Sequence, residues 1–392
     1  MTINNKNKKA NVPNLRFPEF QGEWEKCKLG DYGKVVTGNT PPTKDIENYE
    51  NGTYLWASPA DLGIIKSITE TKTMLSAQGF SKTRTLPKGS VLVTCIGSTI
   101  GKAGMATKEM STNQQINSIV VNDNNDNEFV YYAIQSAFPR YLSSIAVQAV
   151  PIISKSAFEL LPNNRPYLQE QKKIGKFLSL LDERIAAQNK IIEDLKKLKC
   201  AIIEKVYSEI QGKEYSYGQL FDVVNERNKQ MEYSNILSAS QEKGMVNRDD
   251  LNLDIQFERS NINTYKIVRK GDYVIHLRSF QGGFAFSDKL GVCSPAYTIL
   301  RPNSFLEYSY LSNYFTSQRF IKSLIIVTYG IRDGRSINVD EWLSMKITIP
   351  SKEHQQYIVK MIGSFDRKIE SEEAYTIHLS KQKQYILRQM FI

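Results

Sequence analysis

Apolar residues recur at alternating steps of four and three over two long stretches of the chain. Ile174, Leu178, Leu181, Ile185, Gln188, Ile192, Leu195, Lys199, Ile202 and Val206 form one stripe. Ile358, Ile362, Phe365, Ile369, Glu372, Thr376, Leu379, Lys383, Ile386 and Met390 form the other. This spacing puts every position of a stripe on one face of an α-helix. Pro166 and Pro350 precede the stripes, where a helix can begin, and no proline follows within either. A stripe sustained over about five heptads predicts a coiled coil. At ~1.5 Å per residue, ~40 residues make a rod of roughly 60 Å.

The two stretches are copies of one another. At a fixed offset of 184 residues, Pro166, Gln171, Ile174, Lys176, Asp182, Ile185, Leu195, Lys197, Lys199 and Ile202 meet identical residues. That offset is too long for a solenoid, whose units run to roughly 20–50 residues. It predicts two domains, each trailed by one long helix: 1–165 (with 1–12 disordered) and its helix 166–208, then 209–349 and its helix 350–392. Two packings are open. Each helix can lie on its own domain, or the two can pair with each other as an antiparallel coil, which their length favours. The polar stripe positions Gln188, Lys199, Glu372 and Lys383 cost stability, but such residues commonly fix register and partner number.

The stretches ahead of the helices match more weakly. Leu86-Pro-Lys-Gly-Ser-Val-Leu-Val-Thr94 aligns with Val268-Arg-Lys-Gly-Asp-Tyr-Val-Ile-His276, and Leu29-Gly-Asp31 resembles Leu220-Phe-Asp222 as a domain opening. Each Lys-Gly pair reads as a turn entering a strand. Strand-like runs (90–95, 116–121, 273–277, 296–300) alternate with helical patterns (128–136, 306–317), so the fold class is α+β. Each domain falls within the usual size range.

Charge narrows the function classes. There are 51 Lys+Arg against 41 Asp+Glu, a net charge of +10, which suits a nucleic-acid partner without requiring one. The apolar runs are shorter than the ~18–20 residues that span a membrane, and no signal-peptide core follows Met1. Cys27, Cys95, Cys200 and Cys293 are scattered, as expected of reduced thiols in a cytoplasmic protein rather than of disulfides or a zinc site.

Catalytic signatures are incomplete. Gly97-Ser-Thr-Ile-Gly101-Lys102-Ala103 is one residue short of a Walker A loop and lacks the hydroxyl that holds magnesium. As a Gly-rich turn with free backbone N–H groups beside a lysine, it still suits a phosphate. Asn39-Thr-Pro-Pro-Thr43 departs from the Asn-Pro-Pro-aromatic motif of amino methyltransferases by an intervening threonine and a missing aromatic ring. His276, His354 and His378 form no cluster for a triad or a metal. The expectation is a chain with no catalytic, cofactor or metal site of its own.

Taken together, these residues resemble the specificity (S) subunit of type I restriction-modification enzymes. Local phrases carry the likeness: Asn14-Leu-Arg-Phe-Pro-Glu-Phe20 ahead of Trp24, Leu86–Val93, Asn113-Gln-Gln-Ile-Asn117, Ile153-Ser-Lys-Ser-Ala-Phe158 and Pro166-Tyr-Leu-Gln-Glu-Gln171. Phe177–Ile185 and Gly363–Ile369 are similar to the family's two conserved helical regions. The resemblance implies a non-catalytic subunit for phage defence. Two target-recognition domains would each read half of an asymmetric double-stranded DNA site. A coiled coil of Ile174, Leu178, Leu181, Ile185, Ile192, Leu195, Ile202, Ile358, Ile362, Phe365, Ile369, Leu379 and Ile386 would space them.

It also implies partners: two modification subunits that methylate adenine N6 with S-adenosylmethionine, and two restriction subunits that use ATP and Mg. Major-groove reading needs Arg, Lys, Asn, Gln and hydroxyl groups on exposed loops. The candidates in the first domain are Thr40, Ser58, Arg84, Ser98, Lys102, Asn113, Gln114 and Gln115, with a framework role competing at 113–115. In the second they are Arg227, Lys229, Lys243, His276, Arg278, Gln281, Tyr329, Arg332 and Arg335. A free-standing DNA-binding regulator on the same frame, and a nuclease with an unfamiliar site, are the competing readings.

Overall fold

The computed structural model describes residues 11–63, 65–144, 151–240, 243–251, 259–276, 283–329 and 336–392. Arg278, Gln281, Arg332 and Arg335 of the candidate set lie outside them. The chain divides into two compact units, Met1–Gln188 with Tyr375–Ile392, and Asn189–Ala374.

In the first unit, β1 (Glu25–Lys28) leads through a one-turn 3-10 helix into β2 (Gly33–Thr37). Then come β3 (Tyr54–Ala57), β4 (Ser67–Ile68), β5 (Thr73–Leu75), α1 (Ala77–Ser81), β6 (Val91–Thr94), β7 (Ala103–Ala106), β8 (Ser111–Thr112) and β9 (Ile116–Val121). α2 (Asn127–Ser144), α3 (Lys155–Glu159) and β10 (Pro162–Arg165) complete the domain, and α4 (Leu168–Glu209) follows. The main sheet runs β2-β9-β6-β7-β4, a smaller one β5-β3-β8, and β1 pairs with β10. β6 is buried throughout because both its faces are covered. Val91 and Val93 enter the core under α2, while Leu92 points into a second cluster with Leu55, Leu62 and Ile116, as the two-residue period of a strand requires.

The second unit repeats part of this order. It comprises the end of α4, α5 (Tyr217–Leu220), α6 (Gln318–Ser323), α7 (Val339–Ser344) and the first part of α8 (Lys352–Met390), with strands β11 (Lys213–Ser216), β12 (Phe221–Val224), β13 (Leu237–Ser240) and β14 (Gly244–Asn247). The later strands are β15 (Lys266–Val268), β16 (Tyr273–Ile275), β17 (Phe284–Phe286), β18 (Gly291–Cys293), β19 (Thr298–Pro302), β20 (Thr328–Tyr329), β21 (Ser336–Ile337) and β22 (Lys346–Ile349). The sheet β12-β19-β16-β17 has the order of β2-β9-β6-β7, and β11 pairs with β22 as β1 does with β10. Its core closes around Trp342, stacked on Tyr217 at 4.2 Å.

The expected Lys-Gly correspondence holds in the backbone: Gly89 and Gly271 both take positive φ, +84° and +99°, in the turns before β6 and β16. Two expectations need correction. The matching openings are Leu29–Tyr32 and Tyr217–Leu220, each a single helical turn between two strands, rather than Leu29–Asp31 and Leu220–Asp222. The pattern at 128–136 forms α2, but 306–317 folds as turns and a 3-10 segment, Tyr314–Thr316. Tyr310, Tyr314 and Phe315 there follow packing in the second core rather than a helical face, while Phe305 and Tyr308 stay exposed.

Both packings left open by the sequence occur. In the first unit Ile174 and Leu178 of α4 enter the domain core, and Ile386, Leu387 and Met390 of α8, with Phe391 just after it, join them. In the second unit Ile358 and Ile362 of α8 do the same, joined by Ile203 and Tyr207 of α4. Each helix therefore packs on its own domain by its start and on the other helix by its length. Ile192, Ile369 and Leu379 are also buried, while Leu181, Ile185, Leu195, Ile202, Phe365 and Ile386 are half-buried. Toward the end of α4 the buried face is Ile203 and Tyr207, one residue past the expected Ile202 and Val206. The Tyr207 hydroxyl turns inward there to donate to the Tyr310 carbonyl.

The pairing is antiparallel within each unit. Lys196 meets Glu373 and Lys199 meets Asp366 in the second; Arg184 meets Tyr375 and Asp182 meets Lys383 in the first. Asp182–Lys383 and Lys199–Asp366 are the same pair related by the repeat, both with N–O distances of 2.5 Å. The lysines that interrupt the apolar stripe thus each find a carboxylate on the facing helix.

A second duplicated contact ties each helix to its domain. Gln171, 1% exposed, donates to the carbonyl of Pro166 (2.9 Å) and to Asn125 Oδ1 (3.2 Å), and accepts from the Asp126 N–H (3.0 Å). Asp126 in turn caps α2 by accepting from the Phe129 N–H. Gln355, fully buried, donates to the carbonyls of Pro350 and Phe305 (3.0 Å each) and accepts from the Glu307 N–H (2.8 Å). One amide thereby satisfies the backbone of the helix approach and of a domain loop where water has no access.

Gln171→Ala or Gln355→Ala should each cost about 2–4 kcal/mol of unfolding free energy, because several buried polar groups lose their partner together. Urea unfolding monitored by circular dichroism checks this, and a loss below about 1 kcal/mol would mean water replaces the amide. For the ion pairs, Asp366→Lys should destabilise and the added Lys199→Asp should recover most of the loss. The coupling in that double-mutant cycle should be about 1 kcal/mol, the scale of a partly exposed pair.

Candidate nucleic-acid interface

Five of the eight first-domain candidates converge at one end of the sheets. β2 leaves the main sheet at Gly38, whose N–H donates to Ile116 and whose neighbour Asn39 donates to the Thr112 carbonyl. A Cβ at Gly38 would sit 2.2 Å from the Thr112 oxygen, so only glycine allows this approach. Thr40 then faces the β8–β9 turn, and its hydroxyl bonds to Gln114 Oε1 at 2.6 Å. Arg84 donates from Nη1 to the Thr37 carbonyl, leaving the rest of its exposed guanidinium toward solvent.

The turn itself separates frame from tip. Asn113 is 7% exposed; its Oδ1 accepts from the Gln115 N–H and its Nδ2 donates to Gln115 Oε1, both at 3.0 Å. Asn113 and Gln115 are therefore framework, and Gln114 is the exposed side chain at the tip. The second unit builds the same turn from different residues. Ser294 Oγ accepts from the Ala296 N–H, and the Tyr297 N–H returns to the Ser294 carbonyl, as Ile116 returns to Asn113. Pro295 stands where Gln114 stands.

The other first-domain candidates lie apart. Ser58 is spent locally, its N–H and hydroxyl both donating to Asp61. Ser98 and Lys102 are exposed on the turn between β6 and β7. That turn offers less than its glycines suggested. The N–H groups of Gly97, Ile100, Gly101 and Lys102 already donate to Pro151, Gly97, Thr94 and Thr99, which takes them from a phosphate.

In the second unit Arg227 and Lys229 are exposed beyond β12, and Lys243 is exposed at the β13–β14 hairpin. His276 is half-buried at the end of β16, edge-on to Tyr297 at 5.0 Å. Tyr329 ends β20.

Sequence reasoning missed two residues. Asn39 links three segments, accepting from the Arg84 N–H, donating to the Lys82 carbonyl, and accepting the Trp56 indole on its own carbonyl. Its only signal was the Asn-Thr-Pro-Pro phrase, set aside because it fails as a methyltransferase motif. Lys266 donates to the Tyr297 carbonyl, with its ammonium pKa pushed down by burial and by nearby Arg227.

Cys95 and Cys293 are not set up as nucleophiles. Burial pushes Cys95 and Cys293 up to about 12, whereas a reactive cysteine needs a lowered pKa. Among the described residues no three His, Cys, Asp or Glu side chains group to hold a metal, and no helix is long and apolar enough to cross a membrane.

Comparison with known proteins bears on the family and the fold. The profile of the type I restriction modification DNA specificity domain matches twice, over residues 21–197 and 212–380. The MjaVIII specificity subunit of Methanocaldococcus jannaschii is 25% identical over 95% of this chain and 92% of its own length. The MjaIX specificity subunit of the same organism is 28% identical over 51% of this chain, and the HindI specificity subunit of Haemophilus influenzae 29% identical over 45%. Those two matches span about half or less of each relative, 48% and 39%.

Among solved structures, the S subunit from M. genitalium aligns over 97% of this chain and 99% of its own, with a TM-score of 0.55 at 16% identity. A chain from a study of complex assembly and conformational transition in a type I restriction-modification system aligns over 93% and 96%, with a TM-score of 0.60 at 16% identity. With its two matched segments together covering most of the sequence, the chain belongs to the family of type I restriction-modification DNA specificity subunits.

Proposed function

We propose that each recognition domain reads one half of an asymmetric, bipartite DNA site while the paired helices space the domains and dock the modification subunits. The observation that carries this reading is the repeated turn. The same hydrogen-bonded frame is built twice, from Asn113–Ile116 and from Ser294–Tyr297, yet it presents Gln114 in one copy and Pro295 in the other. A shared frame with different tips is what two readers of unlike sequences require. The net charge of +10 suits the phosphate backbone that such readers must grip.

Chemistry belongs, in this reading, to partner subunits: two that transfer a methyl group from S-adenosylmethionine to adenine N6, and two that use ATP and Mg to translocate and cleave DNA. The adenine must leave the stack to be methylated, so the complex opens the duplex for its partner. Half-sites engaged from one face of the duplex fall about one helical turn, ~10 bp, apart.

Long-read methylome sequencing of the host with and without this gene tests the proposal. Deletion should erase one bipartite N6-methyladenine motif and leave all others intact. An unchanged methylome, with the modification subunit expressed, would favour a free-standing DNA-binding regulator.

A further inference from the structure

One polar cluster in the first unit joins the recognition domain to the helices well away from the chain connection. Lys66 lies just before β4, and its carbonyl accepts from the Met105 N–H at 2.7 Å, so its backbone is part of the main sheet. Its side chain, 11% exposed, leaves the domain to reach α4. Nζ donates to Ser179 Oγ (2.7 Å) and Glu128 Oε2 (2.7 Å), with the Tyr132 hydroxyl at 3.4 Å. Tyr132, on α2, donates to Asp182 Oδ2 at 2.6 Å, and Asp182 also holds Lys383 of α8. Lys383 lies 5.4 Å from the centre of the Tyr132 ring.

Lysine normally keeps its ammonium in water. Here the charge is drawn inward to bridge a sheet, α2 and α4, an arrangement that side-chain entropy opposes unless the geometry is held on every side. Burial, and the carboxylate it donates to, push the Tyr132 phenol far above its ordinary range, so it remains a donor. In the second unit the corresponding carboxylate, Asp366, bonds to Lys199 alone among the described residues. The Asp–Lys pair is common to both repeats; Tyr132 and Lys66 are additions of the first.

We infer that Lys66 and Tyr132 form a strut that fixes the angle of the first recognition domain on the paired helices, making them positioning residues for the spacer length between the half-sites. This rests on the bipartite reading proposed above. The start of α4 is held in the domain by Gln171 and by Ile174 and Leu178 in the core. Ser179 and Asp182 lie eight and eleven residues beyond Gln171, roughly 12 and 16 Å up the helix. Along this stretch apolar contacts hold the helix against the domain, and the directional bonds of Lys66 and Tyr132 add a constraint on its tilt that apolar packing alone lacks. A domain of this size extends on the order of 20 Å from its attachment. A tilt of about 10° would carry its reading face ~3.5 Å along the DNA, one base-pair step.

The test uses the complete subunit with its modification partner. Wild type, Lys66→Met and Tyr132→Phe are supplied with a plasmid library in which the two half-sites are separated by every spacer from three shorter to three longer than native. Methylation is read by long-read sequencing, and thermal stability is measured alongside. Lys66→Met keeps an unbranched apolar stem and removes the ammonium, and Tyr132→Phe removes one hydroxyl while leaving the ring in the core.

The strut predicts that methylation at spacers one base pair longer or shorter rises roughly tenfold, the weight of one charge-assisted hydrogen bond. Both half-site sequences should stay as they are. An unchanged spacer profile overturns the inference. So does a uniform loss at all spacers with lower stability, which is what a merely structural role produces. If Lys66→Met does not fold, Tyr132→Phe decides by the same criteria. If wild type methylates no bipartite motif, it is the underlying function that fails, and the two failures are told apart by that control.

Discussion

Everything in this chain is arranged around a buried amide that appears twice. Gln171 and Gln355 each sit where a long helix leaves its domain, and each satisfies the same kinds of backbone groups: the carbonyl of the preceding proline and the N–H of a domain loop. A glutamine can do this because it carries donors and an acceptor on one planar group. Removing it would strand several buried polar atoms at once. The contact makes helix and domain one piece in each unit, so the two long helices become common supports for domains that differ elsewhere.

That constraint explains how the repeat can be strict in the helices and loose in the domains. Helix positions face a domain core, a partner helix or both, and Asp182, Lys199, Asp366 and Lys383 must also match charge across the pair. Little freedom remains at such positions. Domain loops away from those helix contacts meet fewer such demands. The β8–β9 turn keeps its frame through a side-chain acceptor, Asn113 in one copy and Ser294 in the other, while the tip is free to change.

The helices were legible because a 3-4 stripe is a local signal that repeats for forty residues, and the family because its phrases fall in order along most of the chain. What the sequence left open was which surface each stripe meets. Both possibilities hold, since the stripe serves the domain at one end and the other helix beyond it. The site was less legible, and for a different reason. Whether Asn113 reads a base or holds a turn depends on its bonds to Gln115, and whether the Gly97–Lys102 turn can grip a phosphate depends on where its N–H groups already donate. Lys66 gave no signal, because an isolated lysine before a short strand reads as a solvated surface residue. Four second-domain candidates, Arg278, Gln281, Arg332 and Arg335, fall outside the described residues.

The account turns on each domain reading its own half-site from a frame common to both. The most direct measurement replaces residues 213–349 with the corresponding domain of a relative of different specificity, keeping both long helices, and sequences the methylated motif that results. One half of the motif should change to the relative's and the other half should remain. If both halves change together, or the motif does not change although the hybrid assembles and methylates, the domains are not independent readers and the account is wrong.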